Sequence, residues 1–397
     1  MRYFDFSSFK AEEKFVLLCA FPQKNAQEID FIRTLVLEIQ DWDYVLKLAS
    51  IHGITSLLWH NIKQNYKDIV SQDIRQRFRS YWQGNVIYAF KMSQELCKIL
   101  QLLQQHSIQA IPLKGPVLAE LYYGNMALRE YCDLDILVPE AEVLDAKKIL
   151  VSCGYEETIP ISKGKNVYLK ASHHFKLCHP SHKISVELHW KLLENFMYQD
   201  FSNGLLYKNT IQQEFSGHKV CCLSPEDTLV YLCLHGSKHF WQKILWLVDI
   251  AMIVQSRQDW DWEKILQNAS KTGTLRRMLV ALFLVQRLWE IPVSLLCRLK
   301  MAQDKSLSAL AKQICQHFFV PFRTKDLVFF NVQSRERILD KGIYLKGKLF
   351  TGISPEDMQF AGQNSENPWY YFFIRILRLM LCYSKKFLGT IQRKILI

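Results

Sequence analysis

Apolar residues recur at three- and four-residue spacing through the first hundred positions. They form stripes at Phe15, Val16, Leu17, Leu18, at Trp42, Val45, Leu46, Leu48, Ala49, and at Ile51, Ile54, Leu57, Leu58. That period predicts amphipathic helices. His52-Gly53 interrupts it and marks a turn between two of them, with His52 in a capping or packing role. The strongest helix of this region runs from Val86 to His106, carrying Phe90, Met92, Leu96, Ile99, Leu100 and Leu103.

From Ile108 the pattern changes. A strand Ile108–Leu113 is followed by Lys114-Gly115-Pro116, where a proline lacking an amide hydrogen suits a helix start. The helix reaches about Tyr123 and stops at Gly124. A strand Tyr131–Val138 and a helix from Pro139 to Cys153, ending at Gly154, complete an α/β unit. His173–His179 and Ile184–Trp190 flank Pro180–Lys183 and read as a β-hairpin. Its register pairs Glu187 with Lys176 and His189 with His174, which puts these four side chains on one face.

Helical spacing returns at Ser224-Pro225-Glu226-Asp227, a start signal with a cap, a proline and first-turn acids. Stripes at Leu229–Leu234, Trp241–Ala251, Trp260–Leu266, Leu275–Trp289 and Ile314–Phe319 extend it. The chain therefore divides into a helical region 1–107, a mixed core 108–223, a helical domain 224–330 and a C-terminal region 331–397. This is an α+β organisation, with a mixed sheet and its flanking helices embedded between helical regions.

The candidate chemistry lies in the α/β unit. Asp133 and Asp135 stand at i and i+2 on a strand and face the same way, and Glu187 is the one carboxylate on a second strand placed to join them. Three such carboxylates can hold two Mg2+ ions for in-line nucleotidyl or phosphoryl transfer. Gly115, at a helix start, presents backbone amides to phosphate, and Lys114 and Arg129 add positive charge on either side. A zinc cluster drawn from His173, His174, Cys178, His179 and His182 is disfavoured, because a strand throws alternate residues to opposite faces and no second ligand pair has zinc-finger spacing. No serine sits in a G-x-S-x-G elbow.

Composition adjusts this only slightly. With 50 Lys+Arg against 38 Asp+Glu the net charge is +12, which favours anionic partners or simply solubility. Eleven scattered cysteines without a C-x-x-C pair point to reduced thiols and a cytoplasmic chain. The apolar run Phe15–Phe21 follows Glu12 and Glu13 instead of a basic region, so it does not read as a signal peptide. The stretch Pro368–Ile397 carries Arg375, Arg378, Lys385, Lys386, Arg393 and Lys394 among aromatics, with no acid. Such a segment suits an anionic membrane surface or RNA, giving a peripheral place at the membrane, or a terminal helix packed on the protein.

The order KG, helix, LR, DLDILV, VELHW, SPEDTLVYLCLHGSKHFW and WLVDIA, from about Trp42 to Met252, resembles a bacterial nucleotidyltransferase family found in biosynthetic gene clusters, within the polymerase-beta-like superfamily. The resemblance implies a polymerase-beta-like core in which Asp133 and Asp135 bind metal and Glu187 is the third carboxylate. It further implies that Lys114, Gly115, Arg129, Lys176 and His189 meet the nucleotide, ATP or another NTP. His235, His239, Trp241 and Asp249 match the helical motif; each either lines the nucleotide or acceptor pocket or serves the fold. Two departures stand out: Lys114-Gly115 replaces the superfamily's usual Gly-Ser pair, at a longer interval from the aspartates, and the third acid is a glutamate where aspartate is more frequent.

The implied activity is transfer of a nucleoside monophosphate to a small-molecule, peptide or protein hydroxyl, with no stable DNA complex. The other class of function is a non-catalytic accessory or peripheral-membrane protein that keeps the fold.

Overall fold

The computed structural model describes residues 7–159, 165–194, 209–348 and 370–378, with isolated positions at 207, 357, 360, 361, 367 and 381. Four helices open the chain: α1 (Ala11–Cys19), α2 (Ala26–Glu38), α3 (Trp42–His52) and α4 (Thr55–Asn61). Their ends follow the local chemistry. Asn25 and Glu28 form a reciprocal capping box on α2, with both hydrogen bonds at 2.9 Å, and Asp41 accepts from the Tyr44 amide at 2.8 Å on α3. Gly53 ends α3 at φ +68°, a conformation that favours glycine, so the turn expected at His52-Gly53 is present.

Helix α5 (Gln72–Gln105) starts 14 residues before the expected Val86, because Ser71 caps it and Phe78 gives its first turns a buried anchor. Phe90, expected on its apolar face, is exposed.

The sheet has the order β1-β2-β5-β4-β3, from β1 (Ile111–Pro112), β2 (Asp133–Leu137), β3 (Glu156–Glu157), β4 (His174–His179) and β5 (Ile184–His189). Strands β2 and β5 pair in parallel and the other neighbours antiparallel. The expected hairpin register holds: His174 faces His189 and Lys176 faces Glu187. Helix α6 (Gly115–Tyr123) links β1 to β2, and α7 (Val143–Ser152) and α8 (Lys165–Ala171) follow β2 and β3. Helix α7 begins four residues later than expected, after a turn in which Glu142 N–H bonds Pro139 O.

A second hairpin, β6 (Ile211–Phe215) with β7 (His218–Cys222), was not expected from the sequence. Ser216 and Gly217 both take positive φ, +48° and +78°, as a tight two-residue hairpin turn demands.

Further helices follow among the described residues: α9 (Pro225–Lys238), α10 (Ile244–Gln255), α11 (Trp262–Thr272), α12 (Leu275–Trp289), α13 (Leu295–Gln303), α14 (Ser306–Gln316), α15 (Thr324–Gln333) and α16 (Ile338–Lys346). Two apolar clusters hold the fold. One joins α1–α4 to α9–α16; the other lies between the sheet, the second half of α5, α7 and the β6–β7 hairpin and also takes in Tyr371.

Among the described residues no helix is long and apolar enough to cross a membrane, and the ten cysteines are free. Most of the basic segment 368–397 lies outside the described residues. Within it, 370–378 is helical; Tyr371 is buried, and Arg375 and Arg378 both pair with the buried carboxylate of Asp357, so these two cations are engaged within the protein.

Candidate active site

The parallel pairing of β2 with β5 builds the acidic centre. It sets Asp135 directly beside Glu187, with Asp133 two residues earlier on the same face. Asp135 is buried, whereas Asp133 and Glu187 are half-buried at the mouth of a cavity of about 300 Å³. Glycine is required at the adjacent turn: Gly115 adopts φ +63° at the start of α6, packed near the Asp133 carbonyl.

Two side chains pair with Asp135. Lys114 Nζ lies 3.2 Å from its Oδ2, His189 Nε2 3.1 Å from its Oδ1, and His189 Nε2 also comes within 3.6 Å of Glu187 Oε2. Burial pushes the Asp135 pKa up, but the Lys114 ammonium and the His189 hydrogen bond outweigh it and hold the group well below the usual carboxylate range. Asp133 has no such partner. Burial and the Asp135 charge raise its pKa, against the pull of Lys114. For Glu187, burial is likewise outweighed by the His189 hydrogen bond and by His174, so its pKa falls to about 2.

A divalent cation would find here three carboxylates on one face, oxygen donors of the kind Mg2+ takes. An ammonium already sits against Asp135, so the site favours positive charge. The donor chemistry therefore fits Mg2+ at Asp133, Asp135 and Glu187. Among the described residues Asp135, Glu187 and His189 offer ligand atoms within 4.8 Å of one another, a group that Asp133 stands outside.

The opposite wall comes from α9 and α10. Tyr231, His235, Lys238 and His239 share one face of α9, and Lys243, Leu245 and Trp246 continue the wall at the start of α10. Burial drives His235 well below the ordinary imidazole pKa, helped by Lys114, and takes His239 to about 3. These rings are neutral, and both lie against Trp246, with centroids 5.1 and 5.3 Å away. Tyr231, Lys238, Lys243 and Trp246 were not singled out from the sequence. His235 and His239 were expected from the family's helical motif; the spacing 231, 235, 238, 239 is the signal that could have added Tyr231 and Lys238.

Other sequence candidates fall elsewhere. Arg129 borders the cavity, but Nε and Nη2 bond the two oxygens of Asp249, so its charge is matched inside the protein instead of being free for a triphosphate. Asp249 is buried behind the wall and also accepts from Tyr123 Oη at 2.6 Å. Trp241 is fully buried and does not line the cavity. It stacks into the space that a side chain at Gly236 would fill, with its own amide on the Gly236 carbonyl at 2.9 Å, so HGSKHFW encodes a sealed helix end as well as a pocket wall. Lys176 is half exposed on the rim, 3.9 Å from Glu187 Oε1.

No curated protein matches the chain significantly. A family model described as an uncharacterised nucleotidyltransferase matches residues 38–290, which take in the acidic centre, the sheet and both helices of the opposite wall. With well over half its length in that match, the chain belongs to this nucleotidyltransferase family.

Proposed function

We propose that the protein is a Mg2+-dependent nucleotidyltransferase that moves a nucleoside monophosphate from an NTP to an acceptor hydroxyl, releasing pyrophosphate. The observation that carries this is the parallel β2–β5 register, which sets Asp135 beside Glu187 with Asp133 on the same face at a cavity mouth. Asp133, Asp135 and Glu187 would hold the metal, which supplies Lewis-acid stabilisation of charge on the phosphoryl oxygens.

The protein's own groups do the rest. The α6 amides at Gly115 and the Lys114 ammonium, which pairs with Asp135, would face the anionic end of the nucleotide. His189 holds the Asp135 and Glu187 carboxylates in place through Nε2. Trp246, with neutral His235 and His239 packed on it, offers a flat surface for a base or acceptor ring. Arg129 and Asp249 position the two walls and do not bind phosphate.

The acceptor class is a small-molecule, peptide or protein hydroxyl. Purified protein incubated with Mg2+ and each α-labelled NTP should bind nucleotide and transfer label, to itself or to an added acceptor fraction. Wild-type protein that binds no NTP in the presence of Mg2+ would sink the proposal.

A further inference from the structure

Three histidines meet at one corner of the cavity. His173 precedes β4, His174 opens it, and the hairpin register sets His189 opposite His174. His173 is outside the strand, so alternation along β4 does not separate it from its neighbour: His174 Nδ1 lies 3.3 Å from His173 Nε2. One ring nitrogen of each of the three lies within 4.8 Å of the others. Nitrogens bound at about 2.0–2.1 Å to one tetrahedral zinc are roughly 3.3 Å apart, so the first pair already has the bite of a metal site.

Beyond the His173–His174 contact, two ring nitrogens in this corner are not spent on a neighbour among the described residues. Nδ1 of His173 and Nδ1 of His189 are buried without a hydrogen-bond partner among the described residues, and both residues are more than nine-tenths buried. Glu194 Oε1 stands 3.9 Å from His173 Nδ1, on the far side of the ring from His174. His174 Nε2 and His189 Nε2 point their other edges at Glu187, 3.8 and 3.6 Å away. Imidazoles backed by carboxylates are the usual setting of a metal-bound histidine. Against this, Lys238 Nζ sits 3.5 Å from His173 Nε2 and 3.0 Å from Glu194 Oε2. The ammonium occupies the lone pair a metal would take.

We propose that His173, His174 and His189 form a three-imidazole site for a zinc-class divalent metal, beside the carboxylate site with which it shares the His189 ring, and open at a fourth position toward the cavity. Nitrogen donors select zinc, nickel or copper over magnesium. Burial drives His173 well below the ordinary imidazole value and His174 to about 4, keeping both in the neutral form that ligates. For His189, burial is outweighed by the hydrogen bonds to Asp135 and Glu187, which raise its pKa, so this ring binds a metal by giving up a proton. His189 touches both Asp135 and Glu187, so a metal on its ring fixes the orientation of both carboxylates. The site does not depend on nucleotidyl transfer being the activity.

The test uses untagged full-length protein stripped with a chelator. Co2+ is titrated while visible absorption is followed, and Zn2+ is then competed against a chromophoric chelator. One equivalent should bind with the d–d bands of a four- or five-coordinate nitrogen site. His173→Ala and His174→Ala should each weaken binding by on the order of a hundredfold, and Asp133→Asn by less than about threefold. Lys238→Met should tighten binding about tenfold by removing the competing ammonium. Circular dichroism checks folding, and His174→Gln replaces any alanine variant that unfolds. Absence of a bound equivalent in wild-type protein overturns the proposal. So does binding that survives loss of His173 and His174 but disappears in Asp133→Asn, because the ion then belongs to the carboxylates.

Discussion

Arg129 and Asp249, 120 residues apart in the chain, form a two-pronged ion pair in the interior, with Nε 2.8 Å from Oδ1 and Nη2 2.9 Å from Oδ2. Arg129 leads into β2 and Asp249 lies on α10, so the pair fixes the distance between the acidic strand and the opposite wall. Removing one member leaves the other charge buried and unmatched, whereas replacing both with apolar residues does not. Asp249→Ala should therefore cost about 3–5 kcal/mol of unfolding free energy, and Arg129→Met/Asp249→Leu should recover most of it. Urea unfolding of the two variants checks this. A loss under about 1 kcal/mol for the single substitution would show that the pair does not hold the walls.

Asp133 is a function-stability compromise. It is pressed by burial and by the Asp135 charge, and its main relief is the Lys114 ammonium that Asp135 already holds. In chelator, Asp133→Asn should stabilise the protein by about 1 kcal/mol, because it removes a like-charge contact without breaking a hydrogen bond. On the proposed function, the same change should lower turnover with Mg2+ and NTP by on the order of a thousandfold, since it removes one of the carboxylates that would hold the metal. Thermal melts and label transfer read the two effects separately. A destabilised variant with normal turnover would contradict both.

Gly236 is held small by Trp241. A Cβ there would collide with three ring atoms of the indole, and Trp241 has no room to retreat, being fully buried with its amide on the Gly236 carbonyl. Gly236→Ala in a helix would ordinarily help by a few tenths of a kcal/mol up to about 1 kcal/mol. Here overpacking should reverse the sign and cost about 1–3 kcal/mol. A melt of the single variant decides between the two signs.

How much of this was legible follows from the range of the forces involved. The DLD strand, the glycine turn and the 174/189 and 176/187 pairings are written in local periodicity and short turns, and the structure keeps them. The β6–β7 hairpin was missed although Glu214-Phe215-Ser216-Gly217-His218 carries a turn signal, because its strands lack a run of β-branched residues. Arg129 read as a phosphate contact because its partner Asp249 is remote in sequence, and no local pattern reports an ion pair spanning 120 residues. The His173–His174–His189 corner likewise needed the β4–β5 register together with the bend before β4, since strand alternation alone argued against it.

The last prediction concerns acid sensitivity away from the carboxylates. His52 ends α3, is buried, and accepts the Ile244 amide on Nδ1 at 3.3 Å, tying α3 to the start of α10. Burial depresses its pKa to about 4. Above pH ~6.5 the ring is neutral in both folded and unfolded chains and has no effect on the pH dependence. Between pH ~6.5 and ~4 the unfolded chain takes up a proton that the folded one refuses, so stability falls as pH falls, reaching about 3 kcal/mol below pH ~4. His52→Asn keeps an acceptor for Ile244 but does not titrate. It should be less stable than wild type at neutral pH, through lost packing on Phe319, and should close that gap on acidification. The buried rings of His173, His174, His235 and His239 contribute equally to both proteins and cancel in the difference. Parallel melting curves across pH 6.5 to 4 would show that His52 is protonated as easily inside the fold as outside it.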